Sequence, residues 1–174
     1  MKDVMIDLET FGNGNMSLIV QVGACYFDRH TGEIGDTFSL NVDADTGLRH
    51  GFQMDGSTIY WWLQQNPDAQ KSVCAEPRYD IVVAMNMLND FLKKASYVWS
   101  HATFDFVIVM NTLKRLNIKP SIHYRSARDI RTLVDLAGIN HRNYQRVGVA
   151  HNGLDDCIYQ VKYVVDCINA IQKS

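Results

Sequence analysis

Val4-Met5-Ile6-Asp7-Leu8-Glu9-Thr10 is the stretch whose reading decides the fold of this chain. The run is apolar, favours extended backbone, and carries two acids two positions apart. In a strand, side chains at i and i+2 leave the same face about 7 Å apart, so Asp7 and Glu9 face one way together. Two carboxylates on one face repel, and a cation between them relieves the cost. Hard oxygen ligands at this spacing suit Mg²⁺ or Mn²⁺. An edge strand with solvated polar residues reads the same way, so the metal reading depends on further acids downstream.

The chain around that stretch has 174 residues, of which 47% are hydrophobic and 21% charged. This predicts one globular domain over residues 1–174 with a sizeable core. No run approaches the roughly 20 apolar residues that span a bilayer. The charged start from Lys2 to Glu9 is unlike a signal peptide, so no membrane association and a cytoplasmic location are expected. Cys25, Cys74, Cys157 and Cys167 form no Cys-x-x-Cys pair and are expected to be free, buried thiols. A net charge of -2 argues against an extended duplex-coating surface. Yet eight of the 17 basic residues lie between Lys114 and Arg146, against only Asp129 and Asp135. That run is either a local phosphate-facing flank or a solvated helix face.

Downstream of the opening strand, Ser17 to Asp28 and Ile34 to Val42 read as two more strands. They flank a Gly-containing turn, so the first third is an antiparallel meander. Asp43 to Gly56 reads as a loop. Ser57-Thr58 caps a helix through Gln65 that Asn66-Pro67 ends. Its adjacent Trp61 and Trp62 point about 100° apart, so one enters the core while the other faces an interface or a ligand. A second helix runs from Asp80 to Lys93-Lys94. Tyr97 to His101 is a short buried strand leading to a helix from Phe104-Asp105 through Leu113, and His123 to Arg128 is another, leading to a helix that Gly138 ends. After a loop over 139–150, the last helix runs from about Asn152 to Gln172 on a stripe that includes Leu154, Cys157, Val161, Val164 and Ile168. The fold class is therefore α/β, a mixed five-stranded sheet of three antiparallel strands followed by parallel ones, flanked by helices. Function in such sheets gathers at the carboxyl ends of strands, which places Asp105 beside the first two acids. His151 and Asp156 stand at the head of the last helix, where they can converge on the same site.

With all three motifs in hand, Asp7-Leu8-Glu9-Thr10, His101-Ala102-Thr103-Phe104-Asp105 and His151-Asn152-Gly153-Leu154-Asp155-Asp156, the chain resembles the DEDDh 3′→5′ exonuclease superfamily, whose fold is ribonuclease-H-like. No Tyr stands four residues before an Asp, which favours the histidine branch over the tyrosine one. Thr58 to Gln65 is similar to a small phage and bacterial subgroup, exoribonuclease-like or DNA-degrading. The third motif departs from the family pattern in its Asn152-Gly153, and Asp155 rivals Asp156; spacing favours Asp156.

The resemblance implies a 3′→5′ exonuclease that releases nucleoside 5′-monophosphates from single-stranded RNA or DNA. Asp7, Glu9, Asp105 and Asp156 would hold two divalent cations, Mg²⁺ or Mn²⁺, with His151 as general base. Glu9 would also contact the terminal 3′ hydroxyl. Leu8, Thr10, Phe11, His101 and Phe104 would border the terminal nucleotide. A homodimer is expected from the tryptophan pair and from the dimers common among similar enzymes. Two other readings stand beside this one, an inactive binding or scaffold protein and an internally cutting ribonuclease-H relative.

Overall fold

The computed structural model describes residues 1–173. Strand β1 (Asp3–Thr10) pairs antiparallel with β2 (Ile19–Phe27), and β2 pairs antiparallel with β3 (Ile34–Val42). A two-residue strand, β4 (Arg78–Tyr79), runs parallel along the outer edge of β3. Beside β1, strands β5 (Tyr97–Ser100) and β6 (Ala127–Asp129) add parallel pairings, giving the order β4-β3-β2-β1-β5-β6. The mixed sheet is the one expected, with six strands rather than five. Two residues show no alternation, so β4 is recognisable only from its pairing of Arg78 and Tyr79 with Asn41 and Val42.

β1 is buried along its whole length. Val4, Ile6 and Leu8 enter the core on one face of the sheet, under α4 (Ile81–Phe91) and α5 (Asp105–Arg115). Met5 enters the core on the other face, covered by α6 (Ile130–Ala137) and α7 (Gly153–Lys173). Period-two alternation puts Asp7 and Glu9 on the Met5 face, beneath α7.

Several details differ from the sequence expectation, among them the strand expected over His123 to Arg128, which is a single 3-10 turn at Tyr124–Ser126 before the short β6. Asp43 to Gly56 is not all loop, because the Asp43 carboxylate accepts the Asp45 N–H at 2.9 Å and caps a short helix, α1 (Ala44–Arg49). Six residues are too few for a periodic signal. The tryptophan helix, α2 (Gly56–Leu63), follows Asp55 rather than Ser57-Thr58. Asn66-Pro67 ends α2 but also starts α3 (Pro67–Cys74), with the Asn66 side chain accepting the Ala69 N–H and Pro67 at a position that needs no donor. Gln70 ties the two helices together by donating to the carbonyls of Trp62, Leu63 and Gln65. All four cysteines are free, but Cys74, at the end of α3, is exposed. Among the described residues no helix is long and apolar enough to cross a membrane.

Candidate active site

Asp7, Glu9, Asp105 and Asp156, four of the buried acids, meet over the carboxyl end of β1. Asp105 is the first residue of α5. One of its oxygens accepts the Leu8 N–H and the other the His101 N–H, each at 3.1 Å, so β1 and the turn after β5 fix its orientation. Asp7 Oδ1 accepts from the Gln160 side-chain amide at 2.7 Å, across from α7. The ligand atoms fall into two groups, Asp7 with His101 and Asp105, and Glu9 with His151 and Asp156, each within 4.8 Å of one another. The cleft above them encloses about 440 Å³, with Leu8, Trp61, Phe104, Arg146 and Tyr163 among its walls.

The third motif reaches these acids because α7 starts directly on the sheet. Gly23 pairs with Asp7 in the β1–β2 register, and a Cβ on Gly23 would overlap the backbone of Gly153 and Leu154. A Cβ on Gly153 would sit 2.8 Å from the Gly23 nitrogen and 3.1 Å from the Asp7 carbonyl oxygen. This close approach explains the glycine by which the third motif departs from the family pattern. A buried polar relay holds the contact, with Gly153 N–H donating to Gln21 Oε1 at 2.7 Å. Gln21 in turn donates to Asn41 and Ser72, and Asn152 donates to Ser72 Oγ. Two residues earlier His151 has φ +64°, a left-handed conformation that costs a non-glycine residue on the order of 1 kcal/mol or more. Its N–H donates to Asp156 Oδ2 at 3.2 Å, and the edge of its ring meets Trp61 at 4.8 Å between centroids and 81° between planes.

The electrostatics of the cluster call for a cation. Burial, reinforced by the charges of Asp156 and Asp105 and opposed by Arg146, pushes the Glu9 carboxyl up to about 8. Burial raises Asp105 to about 7 against its N–H donors, and raises Asp7 well above the ordinary range with help from the other three acids. Asp156 is also raised by burial, with Arg146 opposing. Four carboxylates this close do not all ionise without compensation. A stand-in cation is present in Arg146, which donates to Asp156 and lies 4.3 Å over the Tyr159 ring. Hard oxygen donors in two groups, repelling one another and already drawing in a guanidinium, fit two divalent ions. Burial lowers the His151 imidazole, leaving it neutral and able to accept a proton.

Of the residues expected to border the terminal nucleotide, Leu8, His101 and Phe104 line the cleft. Thr10 and Phe11 lie behind it: the Thr10 hydroxyl donates to the Gly12 carbonyl, its own carbonyl accepts from Trp62 Nε1, and Phe11 packs on Trp62. The tryptophans divide as the helical angle requires, with Trp62 buried and Trp61 41% exposed against His151. Asp155 does not simply face solvent, since it accepts the Val149 N–H at 2.7 Å and steadies the loop before His151. The sequence reading missed Gln160, Arg146 and Arg131. Gln160 left a signal, a polar residue one helical turn after Asp156 within an apolar stripe; Arg146 and Arg131 left none beyond the basic run.

The sequence profile of the 3′-5′ exoribonuclease Rv2179c-like domain matches residues 2–168. An exodeoxyribonuclease of Enterobacteria phage T4 is 25% identical over 164 residues, covering 78% of this chain and 71% of that one. Among solved structures, E. coli exonuclease I in complex with a 5cy-dA13 oligonucleotide superposes with a TM-score of 0.61 at 13% identity over 98% of this chain. The chain spans 40% of that enzyme's length. The nuclease domain of 3′hExo, a DEDDh family member bound to rAMP, gives 0.58 at 15% identity, covering 96% of this chain and 91% of that domain. The fold is thus that of the ribonuclease-H-like exonucleases.

Proposed function

The chain belongs to the 3′-5′ exoribonuclease Rv2179c-like domain family, and from that premise we propose that it removes nucleotides from the 3′ end of single-stranded nucleic acid with Asp7, Glu9, Asp105, Asp156 and His151 as its working residues. What carries the proposal is the convergence of those five side chains on one cleft of about 440 Å³. Two divalent cations, Mg²⁺ or Mn²⁺, bound by the four acids would supply Lewis-acid stabilisation of charge at the phosphorus and at the leaving oxygen. The chain's own residues do the rest. His151, neutral at pH 7, takes a proton from the attacking water while Trp61 fixes the plane of its ring. Gln160 holds one oxygen of Asp7, and the N–H groups of Leu8 and His101 hold Asp105, so the acids are oriented before substrate arrives. Water forms a new bond to phosphorus, the bond to the 3′ oxygen of the preceding nucleotide breaks, and a nucleoside 5′-monophosphate leaves a strand ending in a 3′ hydroxyl.

Single-stranded RNA and DNA labelled at the 5′ end test the proposal directly. The expected result is a descending ladder with Mg²⁺ on at least one of them, and no products with EDTA. A few discrete internal fragments would support the ribonuclease-H-type reading instead, and an intact strand under all conditions the inactive one. The homodimer is proposed through the open face of α2, where Tyr60 and Leu63 are 69% and 67% exposed beside Trp61. Sedimentation velocity at micromolar concentration should give the dimer, and a monomer would reject it.

A further inference from the structure

The cleft does not end at the carboxylates. A second cavity of about 510 Å³ opens beside it, and His101, Arg131, His141 and Tyr163 line both. Ile130, Val134 and Ile139 give the remaining wall its apolar part, with Asp135 and Gly138 completing it. Its size is that of small-molecule sites. Arg131, at the junction, is the informative residue. It stands in the first turn of α6, where the helix dipole disfavours a cation, and it forms no hydrogen bond or ion pair among the described residues. Arg128, three residues earlier, is otherwise engaged, donating to the carbonyls of Arg125 and Ala127. The charge of Arg131 still reaches the catalytic cluster, where it opposes ionisation of His101 and favours that of Asp105. Arg131 feels the carboxylates of Asp129 and Asp105 but hydrogen-bonds to neither, and a guanidinium with free donors between a partly apolar pocket and a cluster of acids suits a ligand that joins an anion to a flat apolar ring.

We infer that this second cavity binds the nucleotide on the 5′ side of the scissile bond, with its base against Tyr163, Val134 and Ile139 and its phosphodiester at Arg131. The inference rests on the 3′-end reading above. A strand whose last nucleotide borders Leu8 on β1, and whose scissile phosphate meets the acids, continues along the sheet past β5 to β6 and α6. The cavity lies there. It accepts any base, because an aromatic and aliphatic wall reads a ring face rather than its edge.

The test compares first-cleavage kinetics on an intact oligonucleotide and on one that is abasic at the second position from the 3′ end. For the wild-type protein KM should rise roughly tenfold on the abasic strand. Val134→Trp, which fills the cavity, should cleave both strands with the same KM. Arg131→Ala, a surface change, should raise KM on the intact strand. Product inhibition by a free nucleoside 5′-monophosphate should stay unchanged in both variants, and Mn²⁺ affinity measured by calorimetry should stay unchanged in Val134→Trp. Equal KM values for the wild-type protein, or a Val134→Trp variant that still tells the strands apart, would overturn the inference. So would loss of mononucleotide inhibition in Arg131→Ala, which would make the cavity the terminal-nucleotide site. A wild-type protein that shortens no strand from its 3′ end refutes the exonuclease reading itself, and the pocket assignment with it.

Discussion

His151 combines a left-handed backbone, an N–H bonded to Asp156 and a ring held against Trp61. Such strain persists where surrounding contacts over-determine it, as at functional sites. His151→Ala should lower turnover on the order of 10² to 10⁴ with folding and Mn²⁺ affinity little changed. Excess Mg²⁺ should not rescue it, and near-wild-type turnover at saturating metal would remove His151 from the mechanism. The neighbouring acids separate in the same manner. Asp156 faces the cluster, whereas Asp155 binds the Val149 N–H and its carboxyl packs against Gly148. Asp156→Asn should therefore abolish hydrolysis, and Asp155→Asn should lower it by less than about tenfold, an effect of one loosened loop bond. The opposite ranking in a steady-state assay would shift the third motif by one residue.

At the scale of elements, the contact between α7 and the β1–β2 pair decides whether the site exists. Gly23→Ala forces a methyl group into the backbone of Gly153, so α7 must lift from the sheet and carry His151 and Asp156 away from Asp7 and Glu9. Turnover should fall by at least about tenfold and the melting temperature should drop, since overpacking of this kind costs roughly 1–3 kcal/mol. A variant with unchanged melting and turnover would show that the glycine pair is not needed. Elements with several turns or a clear alternation were legible in the sequence: β1 to β3, α4, α5 and α7 all follow their apolar periods. α1 and β4 were not, because they are too short to repeat a pattern, and α3 was masked by a proline that reads first as a stop. The five motif residues were legible through spacing. Gln21, Asn41, Ser72 and Asn152 were not, since side chains 51 and 80 residues apart find one another only through the tertiary fold.

For the molecule as a whole, the acid cluster lowers stability when no cation is bound. Folding holds a proton on Glu9 between its ordinary value of 4.5 and about 8, and on Asp105 between 3.8 and about 7, over ranges where the unfolded chain has released it. The stability tied to those protons is complete below the unfolded values and is lost as pH rises through the folded ones. In EDTA the melting temperature should therefore be lower at about pH 8.5 than at about pH 5, and Mg²⁺ should restore most of the difference. A melting temperature that rises over this range in EDTA would contradict the cluster. The direct contact between Asp7 and Gln160 spans 153 positions of the chain. Synthesis proceeds from the N-terminus, so on the ribosome the nascent polypeptide carries Asp7, Glu9 and Asp105 well before His151 and Asp156 exist beside them. The acids of the first two motifs are therefore without His151 and Asp156 until α7 has been made and has docked on the sheet.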